Sequence, residues 1–244
     1  MKAWIPNILT AANLFCGMLA LMFVAQDAPW AATTAVAVAL MMDFLDGFVA
    51  RLLKVSSPVG KELDSLADCV TFGAVPGMIM ARMIAESLGQ PFPAAVLAPD
   101  GFPWYLTGFL IAVFSALRLA KFNLDERQSD AFYGVPTPAN TMLIVSLWMV
   151  VETLPGSRMA ELLSLSWVLV GISLLASGLL VADVRLLSLK FKNLRWGGNM
   201  YRFLLLGGSV ILLAVYRFAG VPFIFILYLF LSVLDTFRLR RKVG

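Results

Sequence analysis

Histidine is absent from these 244 residues, cysteine occurs only twice, and charged side chains make up just 14% of the chain. Without histidine, any general base must be a carboxylate, lysine, tyrosine or cysteine. Any metal site must be built from oxygen ligands, which suits Mg²⁺, Mn²⁺ or Ca²⁺. Cys16 and Cys69 both lie in apolar runs. Two isolated cysteines make neither a disulfide framework nor a zinc spacing, so both read as small packing residues. A soluble domain of this length carries about a quarter charged residues. The charges here are too few to cover an aqueous surface, which excludes aqueous globular, disordered and collagen-like chains. What fills the chain instead is apolar: 60% of residues, with a mean hydropathy of +0.86. No cleaved signal peptide is expected, because the first apolar run is one of several and no small-residue cleavage site clearly follows it.

A hydrocarbon core about 30 Å thick needs roughly 20 apolar residues per helix. Eight segments answer to that length: about 7–25, 30–53, 62–85, 104–124, 137–154, 163–182, 203–218 and 220–237. The expected fold class is therefore all-α, a polytopic transmembrane helical bundle. Asp27-Ala28-Pro29, the Pro/Gly-rich run 89–103, Pro155-Gly156 and Gly220-Val221-Pro222 punctuate the segments, the last as a tight hairpin. Pro136 and Pro138 are expected to shape the start of the fifth span. Lysine and arginine favour cytoplasmic loops. With the N-terminus inside, the inner side receives Lys2, Arg51, Lys54, Lys61, Arg118, Lys121, Arg127, Arg185, Lys190, Lys192, Arg195, Arg202, Arg238, Arg240, Arg241 and Lys242. The outer side receives only Arg82, Arg158 and Arg217. Both termini are thus expected in the cytoplasm. The bias accounts for the net charge of +4 without nucleic acid, and the 238–242 cluster reads as an anchor near anionic lipid.

Ionisable residues at membrane depth are costly and by default mark function. Four aspartates fall in one short stretch: Asp43 and Asp46 near the inner end of the second span, Asp64 and Asp68 at the start of the third. Residues three or four apart share a helix face. Each helix thus presents two carboxylates, and the short connection is expected to make the two helices antiparallel neighbours. Four like charges in a low-dielectric site need counter-charge. Two divalent cations would supply it, in the arrangement that clamps phosphoryl groups during displacement. Gly47 and Ala50 share the face of Asp43 and Asp46 and leave room for something bulky. Arg51 and Lys61 flank the site and are placed to hold phosphate oxygens. The plainer alternative is a set of interfacial carboxylates paired with Arg51, Lys54 and Lys61; four at matched helical spacing weigh against it.

Asp43-x2-Asp46-Gly47-x2-Ala50-Arg51-x8-Gly60-x3-Asp64-x3-Asp68 resembles, without departure, the signature of the CDP-alcohol phosphatidyltransferases. The resemblance implies that Asp43, Asp46, Asp64 and Asp68 hold two divalent cations, Mg²⁺ or Mn²⁺, and that Asp68 also serves as the base. It implies that Gly47, Ala50, Arg51 and Gly60 contact or make room for the CDP moiety. Further stretches resemble the membrane-embedded (type II) phosphatidylserine synthases of bacteria and archaea. They are Ile5-Pro6-Asn7-x2-Thr10-x2-Asn13, Phe72-Gly73-x2-Pro76, Ala116-Leu117-Arg118-Leu119-Ala120-Lys121-Phe122-Asn123 and Phe132-Tyr133-Gly134-Val135-Pro136-Thr137-Pro138-Ala139. The likeness covers roughly residues 5–140. The family core has six spans, so residues 1–182 are expected to form the catalytic core and 183–244 a two-span C-terminal extension.

The activity this implies is transfer of a phosphatidyl group from CDP-diacylglycerol to L-serine at the cytoplasmic face of a prokaryotic cell (inner) membrane. The partners are those two substrates and membrane lipid, with a homodimer left open. Read from the residues alone, Arg118, Lys121 and Asn123 emerge at the depth of the aspartates, where a cation is needed for an amino acid's carboxylate; positive-inside anchoring explains them equally. Asn7 and Thr10 share a face with Asn13, fit either for hydrogen bonds to the nucleotide or for helix–helix contacts. The rivals are the same chemistry on glycerol 3-phosphate, inositol, inositol phosphate or choline, and an ion-coupled transporter. Against a transporter, the aspartates lie at the cytoplasmic edge and no inverted repeat is evident.

Overall fold

The structure is a computed structural model that describes residues 4–90, 92, 103–124, 132–187 and 196–243. All eight expected spans are helical. In chain order the helices are α1 (Trp4–Ala25), α2 (Pro29–Leu53), α3 (Pro58–Cys69), α4 (Val75–Ser87), α5 (Leu110–Leu124), α6 (Thr137–Thr153), α7 (Arg158–Leu163), α8 (Ser166–Val181), α9 (Trp196–Tyr216) and α10 (Gly220–Val243). A π-helical turn, Val70–Ala74, joins α3 to α4 in one rod, and a 3₁₀ turn, Trp104–Phe109, leads into α5. Four helical stretches are long and apolar enough to cross a membrane: Trp4–Ala25, Pro58–Ser87, Trp104–Leu124 and Asn199–Arg238. Helices α6 and α8, at 17 and 16 residues, are shorter, and α2 carries Asp43, Asp46 and Arg51. The protein is an all-α membrane bundle.

Helix α4 is the centre of the bundle. Ten of its 13 residues are buried, packed among α1, α5, α6 and α8. Glycine lets its neighbours come close: a Cβ on Gly108 would press into the backbone of Met80 and Ala81. Close backbone approach through small residues is how helices pack where lipid removes the hydrophobic incentive.

Three features differ from the sequence expectation. Helices α2 and α3 do not pack along each other; each lies against α1. The reason is the stripe Thr10, Asn13 and Gly17 on α1, all buried. A Cβ at Gly17 would collide with Thr71 of the π turn, so only glycine lets α1 in this far. Arg82 is not a loop charge. It is buried, bonded to Val24 O at 2.7 Å and paired with Asp27 (2.9 Å) and Glu86 (2.6 Å). The last hairpin reverses at Arg217–Ala219, where Arg217 has φ 50°, leaving Gly220-Val221-Pro222 in the first turn of α10.

A two-residue ladder was not legible in the sequence. Strand β1 (Phe132–Tyr133) pairs antiparallel with β2 (Arg185–Leu186), so the connection between α5 and α6 is held to the segment after α8. The prolines act as expected: Pro136 is the N-cap of α6 and Pro138 lies in its first turn. Lys2, Arg127, Lys190, Lys192 and Arg195 lie outside the described residues.

Candidate active site

The aspartates are carried to one place by two helix ends. Helix α2 stops at Lys54, whose left-handed conformation (φ 53°) lets its N–H reach the carbonyls of Ala50 and Arg51. After a short link, Ser57 caps α3, its hydroxyl accepting the Gly60 N–H at 2.9 Å, with Pro58 in the first turn. This brings Asp43 and Asp46 of α2 together with Asp64 and Asp68 of α3 beside α1. One carboxylate oxygen from each of Asp43, Asp64 and Asp68 lies within 4.8 Å of the others. Asp64 Oδ1 is buried without a partner, and none of the four aspartates makes an ion pair among the described residues. The alternative of carboxylates tied up by Arg51, Lys54 and Lys61 is therefore not what the chain forms. Hard oxygen ligands around an uncompensated centre fit a divalent cation.

Asp46 stands slightly apart. It is 6% exposed, and its Oδ2 is 2.7 Å from the hydroxyl of Thr10, itself 3% exposed. Asp68 is held in the same manner: Asn13 Nδ2 donates to its Oδ1 at 3.3 Å. Thus α1 orients one carboxylate of each pair. Thr10 serves this internal role, and Asn13 was the member of that face not singled out as a site residue.

The π turn follows immediately after Asp68 and Cys69. Such turns shift the backbone hydrogen-bond register and are frequent at functional sites. Here the Phe72 carbonyl is met by hydroxyls from two other helices, Thr141 at 3.1 Å and Ser115 at 3.4 Å. Thr71 donates to Asn13 O at 3.3 Å. These contacts fix the rotation of the rod at the residue where it presents Asp68.

Beside the carboxylates opens a cleft of about 260 Å³. Its walls include Asn7, Thr10, Asp46, Gly47, Ala50, Gly60, Lys61 and Asp64, all expected site residues; Pro6, Val55, Ser56 and Ser57 complete it and were missed. The small residues are needed there. A Cβ at Gly60 would stand 2.8 Å from Asn7 Oδ1 and 2.9 Å from Ser57 Oγ, whereas one at Gly47 would meet only the Arg51 guanidinium, at 3.6 Å. Arg51 therefore lies back along its own helix toward Gly47.

The second group is only partly brought together. Arg118 is 7% exposed with its Nε unpartnered. Asn123 is pinned to α3, donating to Ser65 Oγ at 2.8 Å while its carbonyl accepts from Lys61 Nζ at 3.1 Å. Lys121 is exposed where Arg118 is buried. Three residues leave two side chains about 60° apart on a helix, so Arg118 falls at the buried edge and Lys121 at the exposed edge of one face.

Residues 3–184 match the family model described as CDP-alcohol phosphatidyltransferase. The chain is 32% identical over 246 residues to a protein of Helicobacter pylori named CDP-diacylglycerol–serine O-phosphatidyltransferase, covering 96% of this chain and 94% of that one. A Bacillus subtilis protein of the same name is 33% identical over 144 residues, 59% of this chain and 75% of its own length. One from Methanocaldococcus jannaschii is 26% identical over 162 residues, covering 66% and 69%. With three converging carboxylates, a fourth beside them and a cleft lined by the small residues of the same motif, the chain belongs to the CDP-alcohol phosphatidyltransferase family.

Proposed function

We propose that this chain transfers the phosphatidyl group of CDP-diacylglycerol to L-serine, releasing phosphatidylserine and CMP. The observation that carries it is the cleft: eight expected site residues line one hollow beside the carboxylates. Relatives matched along the chain bear the serine-transferase name. Asp43, Asp46, Asp64 and Asp68 would hold the divalent cations, Mg²⁺ or Mn²⁺. When bound, these supply charge neutralisation to the diphosphate and make its phosphorus more electrophilic.

The chain's own residues do the rest. Gly47, Ala50 and Gly60 leave room for the nucleotide, Asn7 hydrogen-bonds it, and Arg51 and Lys61 bind phosphate oxygens. Thr10 keeps Asp46 aimed at the cleft. Asp68, with one oxygen held by Asn13, takes the proton from the serine hydroxyl, a poor nucleophile until deprotonated. The serine oxygen bonds to the phosphorus nearer the glycerol, the bond from that phosphorus to the CMP oxygen breaks, and CMP leaves with the electron pair. Arg118 binds the serine carboxylate, Asn123 sets the edge of that pocket, and Lys121 adds positive potential at its mouth. The lipid enters from the cytoplasmic leaflet of a prokaryotic cell membrane, with both termini and the 54–57 link on that side. Residues 1–182 act as the catalytic core, which the end of the family match at residue 184 supports.

The test is CMP release by the purified full-length protein from CDP-diacylglycerol with serine, ethanolamine, glycerol 3-phosphate or inositol. Serine alone should support rapid turnover, abolished by EDTA and restored by Mg²⁺ or Mn²⁺. Preference for another alcohol overturns the acceptor; full turnover in chelator overturns the metal.

A further inference from the structure

Lys61 is the basic residue in the lining of the cleft, while Arg51 lies back along its own helix. Lys61 is exposed, and an exposed lysine is ordinarily a loose arm, its ammonium carried on a flexible four-carbon stem. Here the ammonium has a fixed place. Lys61 Nζ donates to the Asn123 carbonyl at 3.1 Å, and Asn123 Nδ2 donates to Ser65 Oγ at 2.8 Å. Ser65 Oγ in turn donates to the Lys61 carbonyl at 3.2 Å. The three bonds close a ring between one turn of α3 and the last turn of α5. Ser65 follows Lys61 by four residues, so the hydroxyl and the lysine stem stand on one helix face. The hydroxyl gives its proton to Lys61 O and a lone pair to Asn123. The ammonium spends one of its three N–H groups on Asn123, which leaves two for the cleft. Ser65 is itself neither a fixed position of the aspartate motif nor part of the cleft's lining.

We propose that Ser65 is a positioning residue for the donor site: through Asn123 it holds the Lys61 ammonium at the cleft wall, ready for the diphosphate of CDP-diacylglycerol. This rests on the reading above that Lys61 binds phosphate oxygens, and deepens it. Ser65 acts at one remove. Its hydroxyl fixes the Asn123 amide, and the carbonyl of the same residue fixes the lysine. Ordering a long side chain before the ligand arrives removes that entropy cost from binding. The ring survives binding, because the phosphate needs only the two N–H groups that Asn123 leaves free. The Asn123 side chain thereby serves the donor site as well as bounding the acceptor pocket.

The experiment is steady-state kinetics of CMP release by the full-length enzyme, with CDP-diacylglycerol and serine varied in turn. Ser65→Ala should raise the KM for CDP-diacylglycerol about three- to tenfold, the scale of one neutral hydrogen bond. Both kcat and the KM for serine should stay within about twofold. Alanine is the better helix former, so such a rise does not come from a weakened α3. Ser65→Thr keeps a hydroxyl able to bond the carbonyl four residues back, and should return the KM to within about twofold of the unmodified enzyme. Lys61→Met should raise the same KM about tenfold or more, the scale of a charged contact. Adding Ser65→Ala to Lys61→Met should then change nothing further, since Ser65 acts only through the lysine. An unchanged KM for CDP-diacylglycerol in Ser65→Ala, a rise in the serine KM instead, no recovery in Ser65→Thr, or independent effects in the double variant overturns the role of Ser65 and leaves the proposed function standing. Failure of the unmodified enzyme to release CMP from CDP-diacylglycerol overturns both.

Discussion

Substituting Gly47 by alanine should move stability and activity in opposite directions. Gly47 lies inside α2, and a Cβ there would meet only Arg51 Nη1 at 3.6 Å and Nη2 at 4.0 Å, ordinary contacts with the end of a flexible side chain. The fold has no steric objection. Replacing glycine within a helix contributes about 0.8–1 kcal/mol of propensity, worth roughly 2–4 °C in Tm for a chain of this size. The same methyl protrudes into the cleft. If the CDP moiety sits against Gly47, overpacking should cost about 1–3 kcal/mol, or roughly 5- to 150-fold in the KM for CDP-diacylglycerol. Thermal challenge of detergent-solubilised protein, followed by size-exclusion, reads the first quantity; CMP release across a CDP-lipid series reads the second. Gly60→Ala is the contrast. Its Cβ would crowd Asn7 and the Ser57 cap, so stability and affinity should fall together. A Gly47→Ala enzyme with normal CDP-lipid kinetics would refute the placement of the ligand on this face. One that loses stability and activity in parallel would make Gly47 structural.

Asp68→Asn should lower turnover by about 10²-fold or more, the scale of a lost general base, with CDP-diacylglycerol binding retained because the other carboxylates remain; parallel collapse of binding would make Asp68 chiefly a metal ligand. In a variant lacking Cys16 and Cys69, a cysteine at Ser56 should react with an impermeant maleimide only after permeabilisation, whereas one at Glu161 should react on intact cells. The reverse pattern overturns the proposed orientation.

Much of the site was legible because its determinants are local. The i+3 and i+4 spacings put the aspartates on shared faces whatever the helices pack against. The motif's small residues declared space before any cleft was seen. Arg82 shows where local reasoning fails: it counted as a loop charge, yet Asp27 and Glu86 close around it. Lys121 was grouped with Arg118, yet Arg118 is buried and Lys121 is exposed.

The sequence by itself determined where the eight apolar spans lie, since apolar length is what a bilayer requires, and the pairing of carboxylates on each helix. Only the tertiary structure decided which helix lies between which. Lipid is as apolar as the core, so hydropathy does not say which face meets protein. That choice fell to close approaches such as Gly17 against Thr71, and it set α2 and α3 each against α1. It gave Thr10 and Asn13 their carboxylates, because hydrogen bonds and packing between residues far apart in the chain exist only once the helices have assembled.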